Sequence, residues 1–89
     1  MIETILIMVQ SRLNFTPKQQ AEYLRHLINA AIEELAETGI HIRDNYRDTM
    51  FVVNVVVWKY QNRDKASAMP EWLAQERRER YLQEARDDT

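Results

Sequence analysis

Residues 50–60 form the most nearly apolar stretch of the chain, interrupted only by Asn54 and Lys59. An element without a polar face has to be enclosed by other elements or by a partner. The five valines of the stretch favour a strand by intrinsic propensity. The only candidate partner for such a strand is residues 3–9, and an isolated two-stranded pair is marginally stable.

A helical interpretation of the same stretch accounts for its few polar residues. Arg47, Asn54 and Gln61 are seven residues apart, so on a helix they return to nearly the same side and form one narrow polar line. We therefore favour a buried helix over residues 48–64, with tertiary enclosure overriding the strand propensity. A strand remains the alternative for both 50–58 and 3–9.

The strongest local signal for a helix start lies at residues 16–19. Thr16 can cap, Pro17 suits the first helical position, and Gln19 can complete a capping box. The pattern predicts a helix over residues 17–37. Gly39 is the only glycine and follows this segment, where a left-handed helix stop is expected.

Two further helices are predicted on either side. Apolar residues at spacings of three, four and seven indicate a helix over residues 2–13. In the connection before the central helix, Asp44 or Asp48 can act as its cap. After a short loop at 65–68, Pro70 opens a fourth helix over residues 70–85, which is so highly charged that we expect it to be weakly anchored.

The sequence thus predicts an all-α fold, a single small domain over residues 1–89 with four helices packed around the central one and a frayed tail at 86–89. The residues predicted to form its core are Leu24, Ile28, Ala31, Ile32, Leu35, Phe51, Val53, Val56, Val57 and Tyr60.

The amino-acid composition excludes several kinds of protein and of site. The 89 residues carry a net charge of −2 and contain no cysteine, which excludes disulfides and thiolate metal sites. The N-terminal segment lacks the basic region of a secretory signal, and the central run is far shorter than the ~20 apolar residues that span a bilayer. We expect a soluble, intracellular protein that does not associate with membranes.

Residue types that carry chemistry are scarce. Glu22 and His26 lie one helical turn apart and could hold two metal ligands, but no third ligand is suitably spaced, and His41 beside Asp44 is equally ordinary. No nucleophile triad, carboxylate pair or glycine-rich phosphate loop is discernible. We therefore expect no catalysis, no cofactor, no bound metal and no small-molecule ligand, and we disfavour a metal-dependent enzyme.

Basic and aromatic residues allow two interpretations of the surface. Arginines and lysines cluster at 43–47, 63–65 and 77–80 with tyrosines among them, as on some nucleic-acid-binding surfaces. Acidic residues interleave with all three clusters, which favours a mixed-charge face or the rim of a protein interface. A further set can serve either as core or as interface anchors, and comprises Trp58, Tyr60, Met69 and Trp72.

Three segments together resemble a known family. They are YLRHLINAAIEELAETGI at 23–40, VVNVVVWKYQNRDK at 52–65 and MPEWL at 69–73. A helix with small residues at its centre and a terminal glycine, followed by a buried helix ending in an aromatic-x-Tyr-x-Asn-Arg stretch, resembles the small head–tail connector, or head-completion adaptor, proteins of tailed bacteriophages and prophages.

The resemblance implies an all-helical structural protein without catalytic residues. Members of that family assemble as a homo-oligomeric ring on the portal of the DNA-filled capsid, and they provide the surface on which the tail or a neck protein docks. It implies a location in the virion neck, and in the bacterial cytoplasm during assembly. By analogy, the contact would be made by Trp72, Arg77, Arg78 and Tyr81. The alternative is a small nucleic-acid-binding regulatory protein of phage or bacterial origin.

Overall fold

The computed structural model describes residues 1–65 and 68–87. The chain forms α1 (Ile2–Arg12), α2 (Ala21–Glu37), α3 (Tyr46–Gln61) and α4 (Glu71–Asp87), and no strand occurs within the described ranges. The predicted all-α fold of four helices is therefore confirmed. Residues 66–67 of the predicted loop and 88–89 of the predicted tail lie outside the described residues.

Helix α3 lies at the centre of the domain. Phe51 and the five valines that follow it are all buried, and α1 and α2 pack against α3 and against each other. Residues 3–9, the only candidate partner for a strand, belong to α1, where Ile5, Leu6 and Val9 enter the same core. Enclosure on several sides buries every face of the valine-rich run except the part near Asn54, which accepts a hydrogen bond from Arg12 Nη1 at 2.9 Å.

All but two of the predicted core residues are buried. The exceptions, Ile32 and Tyr60, are partly buried and pack against the edge of the core. Tyr60 lies near the end of α3, where its ring makes edge contacts with Phe15 and Tyr23 and is covered by the Arg63 guanidinium at 4.1 Å. The core also contains apolar residues outside that list, namely Ile5, Leu6, Val9, Ile40, Val52, Val55 and Leu73.

Helix α2 begins at Ala21, four residues later than predicted. Gln19 Oε1 does accept from the Thr16 amide at 3.3 Å, so half of the capping box forms. The buried side chain of Gln10, however, donates to the carbonyl oxygens of Pro17 and Gln19 at 3.0 and 3.1 Å. The chain then turns through Gln20 at φ 57°, in the left-handed region, which delays the helix to the next residue.

Helix α3 begins at Tyr46, two residues earlier than predicted, because its cap is neither Asp44 nor Asp48. The cap is Asn45, whose Oδ1 accepts from the Asp48 amide at 2.8 Å. The helix ends at Gln61, three residues short of the prediction. Asp48 stands in the first turn, where a carboxylate is favoured by the helix dipole.

Gly39 ends α2 as predicted. Its φ is +97°, and the next amide, of Ile40, donates to the Leu35 carbonyl at 2.8 Å while the buried Ile40 side chain packs into the core. A Cβ at this position would lie 3.4 Å from the ring of Tyr81, so the space is ordinary and the backbone conformation is the constraint.

Helix α4 lies against the body but makes few close contacts with α1, α2 and α3, as expected for a weakly anchored helix. Leu73 is fully buried, and it is the single apolar residue that α4's described part contributes to the fully buried core. The other buried side chains on the inward side of α4 are charged, those of Arg80 and Glu84. None of the helices in the described ranges is long and apolar enough to cross a bilayer.

Replacing Gly39 with alanine is expected to lower the free energy of unfolding by about 1–2 kcal/mol, the usual cost of a left-handed conformation for a residue with a Cβ. Gly39→Asn is the matched control and should cost less, because asparagine tolerates this region better. Urea unfolding of the three proteins measures both effects. Equal losses for the two variants would place the cost in the contact with Tyr81 and contradict the backbone explanation.

Candidate functional site

The side chains of α4 fall into two groups, those that face the body and those that are exposed. Leu73, Arg80 and Glu84 are spaced by seven and four residues, so they share one side of the helix, and that side faces the body. The large apolar residues exposed on the other sides are Trp72, Tyr81 and Leu82, of which Trp72 and Tyr81 are 56% and 51% exposed.

The inward side is held by an ion pair between Asp48 and Arg80, whose side chains are only 9% and 10% exposed. Arg80 Nη1 donates to Asp48 Oδ1, and Nη2 donates to the carbonyl of Arg47 at 3.0 Å. The other carboxylate oxygen of Asp48 accepts from the Arg43 amide at 2.8 Å. The guanidinium also lies 4.6 Å from the centre of the Phe51 ring, so it is packed as well as paired.

A second ion pair fixes α4 one turn further on. The largely buried carboxylate of Glu84 accepts from Arg43 Nη1 at 2.8 Å and from the His41 amide at 3.2 Å, and His41 Nδ1 lies 3.6 Å from it. We call the two pairs Asp48–Arg80 and Arg43–Glu84 the α4 clamp. The clamp joins α4 both to the first turn of α3 and to the connection between α2 and α3.

The clamp lowers the pKa of both of its carboxylates, those of Asp48 and Glu84. Burial by itself raises the pKa of Asp48, but the hydrogen bond from the Arg43 amide and the Arg80 guanidinium together outweigh it, so the pKa lies below its usual value. For Glu84 the hydrogen bond from Arg43 is the main cause of a lowered pKa, and it outweighs the opposing effect of burial. Both groups are therefore held in the charged form.

On one flank of α4 lies a cavity of about 400 Å³, formed with the end of α2. We call it the α4 groove, and its lining residues are Thr38, Ile40, Ala74, Arg77, Arg78 and Tyr81. Three of the four residues predicted to make a protein contact are thus brought together here. Thr38 and Ile40 were not predicted, because nothing in the sequence indicates that the end of α2 lies beside α4.

Trp72 is the fourth predicted contact residue, and the structure does not place it in the groove. It stands nine residues before Tyr81, or two and a half helical turns, so the two rings lie on opposite flanks of α4. Arg77 by contrast also lines a second cavity, of about 360 Å³, beside Trp58 and Met69. Arg77 therefore separates two neighbouring depressions on the surface.

Neither the Glu22–His26 pair nor the predicted basic clusters form a comparable site. His26 Nε2 and Glu22 Oε1 are 3.8 Å apart and both side chains are exposed. Among residues 1–65 and 68–87 no group of three or more His, Cys, Asp or Glu side chains is arranged to hold a metal ion. Of the predicted basic clusters, Arg43 is engaged in the clamp and Arg63 donates to the Tyr60 carbonyl as well as covering its ring.

Comparisons with protein-family models, with curated proteins and with solved structures gave no significant match in any of the three cases.

The Asp48–Arg80 pair is expected to show strong coupling in a double-mutant cycle. Asp48→Ala alone should lower the free energy of unfolding by about 3–5 kcal/mol, because it removes the hydrogen-bonded counter-charge of a buried guanidinium and leaves only Glu76, 4.0 Å away. Adding Arg80→Ala should cost much less than the sum of the two single effects. Asp64→Ala, at an exposed position, is the control and should stay within about 0.5 kcal/mol of the parent. Additive single effects would show that the pair does not act as a unit.

Acid is expected to weaken the clamp. Because the folded-state pKa values of Asp48 and Glu84 lie below their unfolded values, the clamp contributes full stability above pH about 4–5, and that contribution is lost as pH falls through the folded pKa values. Urea unfolding from neutral pH to pH about 2.5 should show this decline. The Asp48→Ala/Arg80→Ala variant should decline less, and an identical slope would argue against the clamp as the source.

Proposed function

We propose that the chain is a structural adaptor of a tailed bacteriophage or prophage neck, which forms a homo-oligomeric ring on the portal and presents a surface to a tail or neck protein. The observation that carries this proposal is the α4 groove. It combines an exposed tyrosine with two arginines on a helix that is fixed to the core by ion pairs. Tyrosine, tryptophan and arginine are the residue types enriched at the energetic centres of protein interfaces.

The α4 clamp, which fixes the helix in one orientation, supports a role in binding. A surface that is rigid before it meets its partner loses less conformational entropy on association. The clamp sets the rotation of α4 about its own axis, so Arg77, Arg78 and Tyr81 are already directed to one flank. Small head–tail connectors, which the sequence resembles, work through contacts of this kind and not through chemistry. The virion neck and the host cytoplasm during assembly are the corresponding locations.

The test is binding to a portal protein. We expect the coding sequence to lie between capsid and tail genes, and the portal protein of that gene cluster to co-purify with the chain. The variant Arg77→Ala/Arg78→Ala/Tyr81→Ala should bind at least about 30-fold more weakly, since one interface hot spot contributes about 2 kcal/mol or more. Isothermal titration calorimetry measures the change.

The matched control is Gln75→Ala/Glu79→Ala. These exposed residues lie on the other flank of the same helix and contact each other at 3.4 Å. Portal affinity should be unchanged in this variant. If the parent chain has no portal affinity but binds duplex DNA with a steep dependence on salt, the adaptor proposal is wrong and the nucleic-acid-binding regulator is favoured.

A further inference from the structure

The end of α2 carries charges that its own helix disfavours. Glu33, Glu34 and Glu37 lie in its last two turns, near the negative end of the helix dipole, and its last turn contains no basic residue. The last turns of α1, α3 and α4 each contain one, namely Arg12, Lys59 and Arg86. Helix α2 is therefore the exception among the four helices, and any cation near its end has to come from another element.

Only one of these three glutamates forms an ion pair within the part of the chain that the structure describes. Glu34 forms an ion pair with Lys59 Nζ at 3.0 Å. Glu33 and Glu37 are exposed, one turn apart, and neither forms an ion pair or hydrogen bond with any residue that the structure describes. They lie on the side of α2 away from the core, and Ala30 is exposed beside them. We call Ala30, Glu33 and Glu37 the α2 acidic face.

The α4 groove carries the opposite imbalance. Arg77 forms no ion pair or hydrogen bond within residues 1–65 and 68–87. Arg78 has one weak partner, Glu71, at 3.8 Å, and both side chains are largely exposed. Neither arginine is paired with Glu33 or Glu37 of the same chain. Arg77 and the two glutamates therefore have no partner in the part of the chain that the structure describes, and Arg78 has only the weak one.

We propose that these two surfaces meet between copies, and that the α4 groove of one chain binds the α2 acidic face of a second chain. This assigns the contact between copies within the proposed adaptor function, on which it rests. In the ring the groove is then occupied by the neighbouring copy, so groove variants weaken portal binding by preventing ring assembly. Arg77 and Arg78 would pair with Glu33 and Glu37, while the Tyr81 ring packs over the small side chain of Ala30. Such pairing gives the negative end of α2 the cations that its own sequence lacks.

The charges also determine the symmetry of the contact. A two-fold contact through the α4 groove alone would place arginine against arginine, which is repulsive. When the contact joins two different surfaces, a pair of chains still has one free α4 groove and one free α2 acidic face. Further copies can therefore add, and the assembly can close into a ring. The inference therefore predicts oligomers larger than a dimer, whose association weakens as salt screens the exposed charges.

Charge reversal in separate chains tests this contact. We expect the parent chain to self-associate in sedimentation velocity at low ionic strength. Arg77→Glu/Arg78→Glu and Glu33→Lys/Glu37→Lys should each bind themselves at least about tenfold more weakly. An equimolar mixture of the two variants should regain association, because every contact between unlike chains again joins opposite charges. Circular dichroism establishes that each variant is folded, and Glu33→Lys/Glu37→Lys should melt no lower than the parent, since it removes the unfavourable charges.

Two results would overturn the inference. One is a parent chain that stays monomeric at all concentrations in low salt, and the other is a mixture that fails to regain association although both variants are folded. A monomeric parent that still binds the portal through the α4 groove would leave the adaptor function standing, with an acidic partner protein as the occupant of the groove. Self-association through these surfaces without portal affinity would support the contact between copies and contradict the adaptor function.

Discussion

The position of α4 depends on the buried ion pair between Asp48 and Arg80. Helix α4 contributes one fully buried apolar residue within its described part, Leu73, and a single leucine leaves a helix free to rotate about its axis. The guanidinium removes this freedom because its donors reach both the Asp48 carboxylate and the Arg47 carbonyl. Buried ion pairs often add little net stability compared with apolar packing, but they are directional. Here the ion pair selects one orientation of α4 and so determines which side chains are exposed on its flank.

The central helix shows how enclosure decides between two local preferences. A valine-rich run suits a strand, and the same residues are stiff in a helix because both γ-methyl groups restrict rotation about χ1. In this chain the apolar faces of α1 and α2 can cover a helix on several sides, whereas the described residues leave no other segment to pair with a strand. The helix therefore forms against its propensity, and the ion pairs of α4 complete its cover near Phe51.

The sequence pattern predicts those parts of the fold that depend on neighbouring residues. The four helices, most of the core and the stop at Gly39 follow from spacing and from local turn chemistry. What it misses depends on residues that are distant in the chain. Asp48 and Arg80 are 32 positions apart, and Arg43 and Glu84 are 41 apart, so neither pair can be recognised without the fold. The docking of α4 and the two residues that α2 and its following loop add to the groove are unpredictable for the same reason.

The Gln10 side chain has a consequence for how the domain opens. Its amide nitrogen bonds two carbonyl oxygens of the turn before α2, and the Phe15 amide donates to the Gln10 carbonyl at 2.8 Å. Residues 14–20 are therefore fastened to α1 by its own backbone and side chain, although they contain no regular helix. Local opening of this turn would break bonds of α1 as well, so α1, the turn and the first turn of α2 should exchange their amide hydrogens as one cooperative unit. An apparently irregular connection thus transmits the stability of the first helix to the second.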